Sequence, residues 1–216
     1  MDDNLYTLLV SHSTVLFPLA VCLKEFKYKR DYRALYLAFH LVLTVVFSIS
    51  FHSYDYGKLT TSLDPDREKY SLWRYLDFVS SRNVLYTNIC YISRFRTDIF
   101  YIFSFLASYI FMMLDFDINS NLHITTVTTI MLCSLTALLK IHTYIQYLYK
   151  FWIHFIFTGV LFSASLICLF NAGKYDYNVI HTLWHLLIFT SSGYACLLKI
   201  RLDSTIVSNR STSNSL

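Results

Sequence analysis

Charged side chains are scarce in this chain: Asp, Glu, Lys and Arg make up 15% of its 216 residues, against about 25% in average proteins. Glycine and proline are also few, with four and two residues. Hydrophobic residues instead reach 55% of the sequence. A soluble protein of this length would not need so much apolar surface, whereas a chain that faces lipid and packed helices does. The composition therefore predicts a single membrane domain.

Further absences narrow the range of functions. The five cysteines stand singly within apolar segments and form no CxxC pair, so the sequence predicts neither a disulfide framework nor a thiolate metal site. The basic residues do not cluster on a soluble face, and we expect no nucleic-acid partner. The first residues, Met1 to Asn4, lack the positive region of a signal peptide, so we expect the first apolar segment to remain in the mature protein.

Seven apolar stretches of the sequence approach the roughly 20 residues that cross a bilayer as a helix. Backbone polar groups in lipid must be paired internally, so we predict an all-α, polytopic, seven-transmembrane helix bundle over residues 1–201. A disordered cytosolic tail, rich in Ser, Thr and Asn, is predicted for 202–216. The predicted spans are 5–23, 34–52, 73–92, 99–114, 122–139, 151–170 and 179–198.

Lysine and arginine are distributed unequally between the two ends of the predicted spans. Twelve lie in the tail and in the segments that follow the first, third and fifth helices, whereas five lie on the opposite side. Basic loops favour the cytosol, so we expect a cytosolic carboxyl terminus and an amino terminus outside the cell or in a lumen. The protein would then reside in the plasma membrane or the secretory pathway.

Three histidines and an aspartate come to one level of this topology, near the outer ends of the helices. His52 ends the second predicted helix, and Asp77 lies about one turn into the third. His181 and His185 are four residues apart in the seventh helix, which places both rings on one face. Ser48 precedes His52 by four residues and shares its face. Ionisable residues inside a bilayer are costly and usually mark a functional site.

Three neutral imidazoles are a familiar zinc ligand set that leaves a fourth position for water, and zinc lowers the pKa of such a water to about 7. We therefore predict that His52, His181 and His185 bind zinc. Asp77 would orient a histidine or accept a proton, and Ser48 would hydrogen-bond the site or stabilise an oxyanion. A nucleophilic triad of Ser48, His52 and Asp77 is the weaker alternative, because it leaves the other two histidines unexplained.

Other polar residues of the predicted bundle are expected outside the zinc ligand set. Asp115 and His123 are expected beside the site or at its rim. Arg82, about halfway along the third helix, would pair with a carboxylate or reach a lipid phosphate. Packing or interface roles are the default for four histidines that are expected at other depths: His12, His40, His142 and His154.

At these positions the chain resembles a known group. The segments FSISFH ending at His52, YLDFVSS around Asp77, LDFD after the fourth helix and VIHTLWHLLIF in the seventh are similar to the transmembrane protein 8 and myomaker family. That family belongs to the CREST superfamily, together with alkaline ceramidases and progestin/adiponectin receptors. The resemblance covers nearly the whole chain. It implies a seven-helix bundle with zinc on His52, His181 and His185, and with Ser48 and Asp77 close to the bound water.

The resemblance also implies a range of activities. Superfamily members with this residue set hydrolyse lipid amides or esters, the transmembrane protein 8 branch is linked to phospholipase A2-type action on GPI-anchored proteins, and myomaker is linked to myoblast membrane fusion. The chain shows neither the large extracellular amino-terminal region of the longer members nor the cysteine-rich carboxyl tail of vertebrate myomaker, which weakens a direct transfer of either activity.

We expect a zinc-dependent hydrolase that cleaves an acyl bond, an ester or an amide, of a membrane lipid. One alternative is a non-enzymatic, myomaker-like membrane-remodelling or cell-fusion protein in which zinc is structural. Another is a receptor that binds its ligand in the same outward pocket. The sequence leaves open which lipid binds and whether the chain forms a homodimer.

Overall fold

The computed structural model describes residues 10–59, 72–116, 122–171 and 177–213. Within these ranges the regular secondary structure is entirely helical, and the predicted all-α class is confirmed. A single 3₁₀ turn, His12–Val15, precedes the first α-helix. The seven α-helices of the described ranges are α1 Leu16–Lys29, α2 Tyr32–Leu59, α3 Leu72–Ile92, α4 Thr97–Phe116, α5 Leu122–Leu139, α6 Ile141–Asn171 and α7 Tyr177–Ser213.

The predicted spans agree with the observed helices in the middle of the chain and differ near its ends. Helices α3 and α5 match the predicted spans 73–92 and 122–139 to within one residue. By contrast, the first predicted span, 5–23, contains the 3₁₀ turn His12–Val15 and ends before α1 does at Lys29, and its residues 5–9 lie outside the described ranges. Helix α6 begins ten residues before the predicted start at Phe151, where the backbone leaves helical geometry (φ −138°, ψ 39°). The predicted start is therefore a kink inside a longer helix.

The structure differs from the predicted disordered tail, because α7 continues to Ser213. Leu202 lies one helical turn beyond Leu198, and both are buried against Tyr147 of α6. This i, i+4 pair extends the apolar stripe of α7 past the predicted boundary. The composition of the segment is polar, but packing of its first residues on α6 continues the helix.

Four of the described helices contain segments that are long and apolar enough to cross a membrane: Tyr32–Ser53, Thr97–Leu114, Ile141–Cys168 and Val179–Ile206. Helix α5 adds a shorter apolar segment, Ile124–Leu139. Most of the α6 segment is not buried inside the protein. Because monomeric soluble proteins rarely expose large contiguous apolar patches, this surface is consistent with a membrane protein.

Helix α3 lies in the interior of the bundle, in contact with α2, α4, α5 and α7. Half of its buried residues are polar, and four of them, Asp77, Ser80, Asn83 and Thr87, recur every three or four residues. One of these positions is held by a hydrogen bond from Thr44 of α2 to the backbone oxygen of Ser80 (3.0 Å). Helix α3 thus turns a polar stripe into the bundle, beside buried apolar residues such as Val84 and Tyr91.

Three segments meet at one end of the bundle, which we call the basic end: residues 29–33, 93–97 and 199–203. The ammonium group of Lys199 lies 2.8 Å from Asp31, and Arg94 lies 2.6 Å from Asp203. These are the segments after α1 and α3 and near the end of α7, which the distribution of Lys and Arg had predicted on one side.

Candidate metal centre

The sequence-predicted site residues converge near the opposite end of the bundle, about 21 Å along α7 from the basic end at 1.5 Å per residue. Helices α2 and α7 each supply two of them and α3 supplies one, although these helices are far apart in sequence. The 3₁₀ turn before α1 adds a further histidine. The residues are His12 on that turn, Ser48 and His52 on α2, Asp77 on α3, and His181 and His185 on α7. All six are buried.

Three of these histidines could bind a metal ion. One ring nitrogen from each of His12, His52 and His185 lies within 4.8 Å of the corresponding nitrogens of the other two. Their relative exposures are 2%, 5% and 1%, so water has little access to the group. The rings of His12 and His185 are closest, with centroids 4.0 Å apart.

His181 lies directly beside this group. Its Nε2 atom is 3.1 Å from Nε2 of His52, and its ring centroid is 4.6 Å from that of His185. The i, i+4 spacing therefore places the two α7 rings together as expected. The structure brings His52, His181 and His185 into one cluster, and the role of His181 as a ligand stays a prediction.

The cluster contains buried polar atoms that lack a partner. Neither ring nitrogen of His185 has a hydrogen-bond partner among the described residues, and the same holds for Oδ1 of Asp77. Leaving a buried polar group unpaired costs about 1–3 kcal/mol. A metal ion with its bound water would satisfy such atoms, and imidazole nitrogens suit zinc, copper, iron and nickel. The donor set therefore fits a metal ion without specifying which one.

Ser48 and Asp77 connect to the histidines through hydrogen bonds. The Ser48 hydroxyl lies 2.9 Å from Nε2 of His12, and the Asp77 carboxylate interacts with the hydroxyls of Ser48 and Ser81. A chain of contacts thus runs from Asp77 through Ser48 to His12. His12 was not a member of the alternative triad of Ser48, His52 and Asp77.

His12 is the site residue that sequence reasoning missed. We predicted a packing role for it, because the predicted span 5–23 placed it in the middle of a helix. In the structure His12 lies on a 3₁₀ turn between helical residues 10–11 and α1, level with Ser48 and His185. A local signal was the polar run from Ser11 to Thr14 within an apolar segment.

The two residues predicted beside the site or at its rim remain predictions. Asp115 and His123 fall within α4 and α5, but their side chains lie outside the part of the chain that the structure describes.

Arg82 contacts α5 through its side chain. Its Nη2 atom donates a hydrogen bond to the hydroxyl of Thr125 (2.7 Å). Its guanidinium group also lies over the ring of Phe78, 5.6 Å from the centroid, which is within the range of a cation–π interaction. These contacts give Arg82 a role in packing α3 against α5 that the sequence did not indicate.

The chain was also compared with known proteins. No protein-family model matches it, and no curated protein matches it.

Proposed function

We propose that the protein is a membrane-embedded, zinc-dependent hydrolase that cleaves an acyl bond, ester or amide, of a membrane lipid. One observation carries this proposal: a cluster of buried histidines with ring nitrogens close together lies next to a buried serine and aspartate. The resemblance to the transmembrane protein 8 and myomaker family, drawn from the same residues, points in the same direction.

The proposed zinc ligands are His52, His181 and His185. Neutral imidazoles are the commonest protein ligands of metals, and three of them with one open position form a familiar catalytic zinc site. When bound, zinc supplies a Lewis acid and lowers the pKa of its water to about 7. The burial of the cluster supports this role, because a dry, enclosed site strengthens electrostatic stabilisation of developing charge.

Asp77 and Ser48 are the proposed catalytic residues of the chain. Asp77 is 3% exposed and has one carboxylate oxygen without a hydrogen-bond partner among the described residues, so that oxygen is available to accept a proton in the reaction. Ser48 is completely buried, and its hydroxyl is positioned to hold a polar group of the substrate beside the histidines. General acid–base assistance of this kind contributes about 10²- to 10⁴-fold to a rate.

The substrate class follows from the surroundings of the site. On α7, Val179, Leu183 and Leu186 are exposed at the level of the two histidines, and they give a lipid an apolar surface along which to approach. We propose seven membrane spans with the basic end in the cytosol, since Lys and Arg concentrate in cytosolic segments. The histidine cluster then lies in the outer half of the bilayer, and an outer-leaflet lipid is the substrate.

The test combines metal analysis with lipid turnover. Protein purified in detergent should contain about one zinc ion per chain, as a single site requires, and should release fatty acid or lysolipid from a panel of membrane lipids. Asp77→Asn should keep the zinc and lose at least about 100-fold in turnover. Asp98→Asn changes an exposed carboxylate at the basic end and serves as the matched control with normal turnover. A zinc-loaded protein that turns over none of the lipids would refute the proposed activity.

A structural role for zinc is the second candidate, as in a membrane-remodelling or cell-fusion protein. Four imidazoles rather than three lie in the cluster, and four protein ligands are typical of structural zinc sites. In this case Asp77→Asn should retain full activity in a cell-fusion assay. Loss of fusion with normal folding and zinc content would instead favour chemistry.

A further inference from the structure

His12 reaches the histidine cluster from a separate part of the chain. It lies on the 3₁₀ turn before α1, whereas the other histidines of the cluster lie on α2 and α7. Its hydrogen bond with Ser48 places its ring against the cluster, 4.0 Å from the ring of His185 between centroids. The side chains of His12 and Ser48 are almost completely buried.

The spacing of the ring nitrogens fits a shared ion after a small movement. Zinc–nitrogen bonds of about 2.0–2.1 Å in a tetrahedral site place neighbouring nitrogens about 3.3 Å apart. His52 and His181 already have Nε2 atoms 3.1 Å apart. The ligand nitrogens of His12, His52 and His185 lie within 4.8 Å of one another, so they need to approach by no more than about 1.5 Å.

We propose that His12 is a fourth ligand of the metal and closes the coordination sphere in the resting protein. This inference rests on the proposed zinc site and adds a residue to it. With four imidazoles bound, no position remains for water or substrate. His12 must leave the metal for the reaction to begin, and its departure frees the Ser48 hydroxyl for the substrate.

The backbone at His12 is suited to such a movement. Residues 10 and 11 are α-helical, His12–Val15 form a 3₁₀ turn, and α1 follows from Leu16. Short 3₁₀ pieces between α-helical turns often mark a hinge. A change of backbone geometry at this turn would move the His12 ring relative to the histidines on α2 and α7.

The first test uses a thiolate as a spectroscopic label. Cobalt(II) replaces the metal in purified His12→Cys protein, and ligation by the new thiolate should produce a sulfur-to-cobalt charge-transfer band in the near ultraviolet. The wild type should lack the band, since its five cysteines are not among the proposed ligands. His40→Cys is the matched control, because His40 lies about three turns from His52 on α2. There its ring contacts that of Tyr36. Bound cobalt without the band in His12→Cys would overturn the proposal.

The second test asks whether removing His12 opens a coordination position. Azide should change the visible spectrum of cobalt-loaded His12→Ala protein and leave that of the wild type unchanged. If azide changes the spectra of both proteins equally, the coordination position is already open in the wild type. That result refutes the role of His12 as a ligand and leaves the proposed metal site standing. A wild type that binds no cobalt or zinc refutes both this inference and the proposed function. If His12→Ala does not fold, the charge-transfer band of His12→Cys decides.

Discussion

The buried lysine of the basic end gives the sharpest prediction on stability. Lys199 is 1% exposed, and its ammonium group lies 2.8 Å from Asp31, 3.0 Å from Asp203 and 3.7 Å from Glu25. It also donates a hydrogen bond to the Tyr91 hydroxyl (3.2 Å). Lys199→Met keeps the length and much of the volume of the side chain, so that the change removes mainly the charge.

The expected loss of unfolding free energy depends on the cations that remain beside the three carboxylates. Removing one partner of a buried ion pair typically costs about 3–5 kcal/mol, because the other charge stays buried and uncompensated. Each carboxylate here keeps a second cation, and this places the expected loss at the lower end, about 3 kcal/mol. The remaining pairs are Arg33 with Asp31 at 2.8 Å, Arg94 with Asp203 at 2.6 Å and Lys29 with Glu25 at 3.1 Å.

Reversible unfolding in mixed detergent micelles measures the free energy difference. Lys29→Met is the matched control, because the Lys29 side chain is 42% exposed and pairs with the same Glu25; an exposed pair contributes at most about 1 kcal/mol. The metal content of the folded fraction should not change, since the site is about 21 Å away along α7. A Lys199→Met variant within about 1 kcal/mol of the wild type would refute the reasoning.

Three further predictions concern helix packing, the metal and pH. Gly193→Ala should destabilise the fold by about 1–3 kcal/mol, because the added carbon meets the Phe17 ring. Gly159→Ala should stabilise it by up to about 1 kcal/mol, because nothing lies within 4 Å of the added carbon. Equal shifts of the two variants in thermal unfolding would contradict this prediction. A strong chelator should lower the melting temperature and added zinc should restore it, and an unchanged melting curve would argue against a bound metal. Burial raises the pKa of Asp31, but hydrogen bonds from Arg33 and the buried lysine outweigh it and hold the pKa at about 2. The stability that this carboxylate contributes is therefore present above about pH 4 and lost as the pH falls toward 2. The difference in unfolding free energy between wild type and Asp31→Asn should shrink over that window.

The helices could be predicted where hydropathy alone sets their limits. α3 and α5 begin and end within a residue of the predicted spans, because a polar segment borders each apolar run. The start of α6 and the end of α7 could not be predicted in this way. Leu202 continues α7 because it packs with Leu198 on Tyr147, a contact between distant segments that no local pattern encodes.

The same distinction applies to the histidine cluster. His181 and His185 could be paired from their spacing, since an i, i+4 pair shares a helix face, and their rings are indeed 4.6 Å apart. The place of His12 depends on how the turn before α1 packs against α2 and α7. Its hydrogen bond with Ser48 spans 36 positions of the sequence, and it forms only after the turn before α1 packs against α2.

Whether His12 can leave the metal separates the two candidate functions. Three ligands leave an open position for chemistry, whereas four ligands that all stay bound give a closed, structural site. If His12 only braces the helices, His12→Ala should lower the melting temperature of the zinc-loaded protein without opening a position for azide. If His12 closes a catalytic site, the same variant should bind azide or a lipid hydroxamate at the metal more tightly than the wild type, because no ligand has to leave first. Measuring both quantities on one zinc- or cobalt-loaded sample therefore distinguishes a gated hydrolase from a metal-braced bundle.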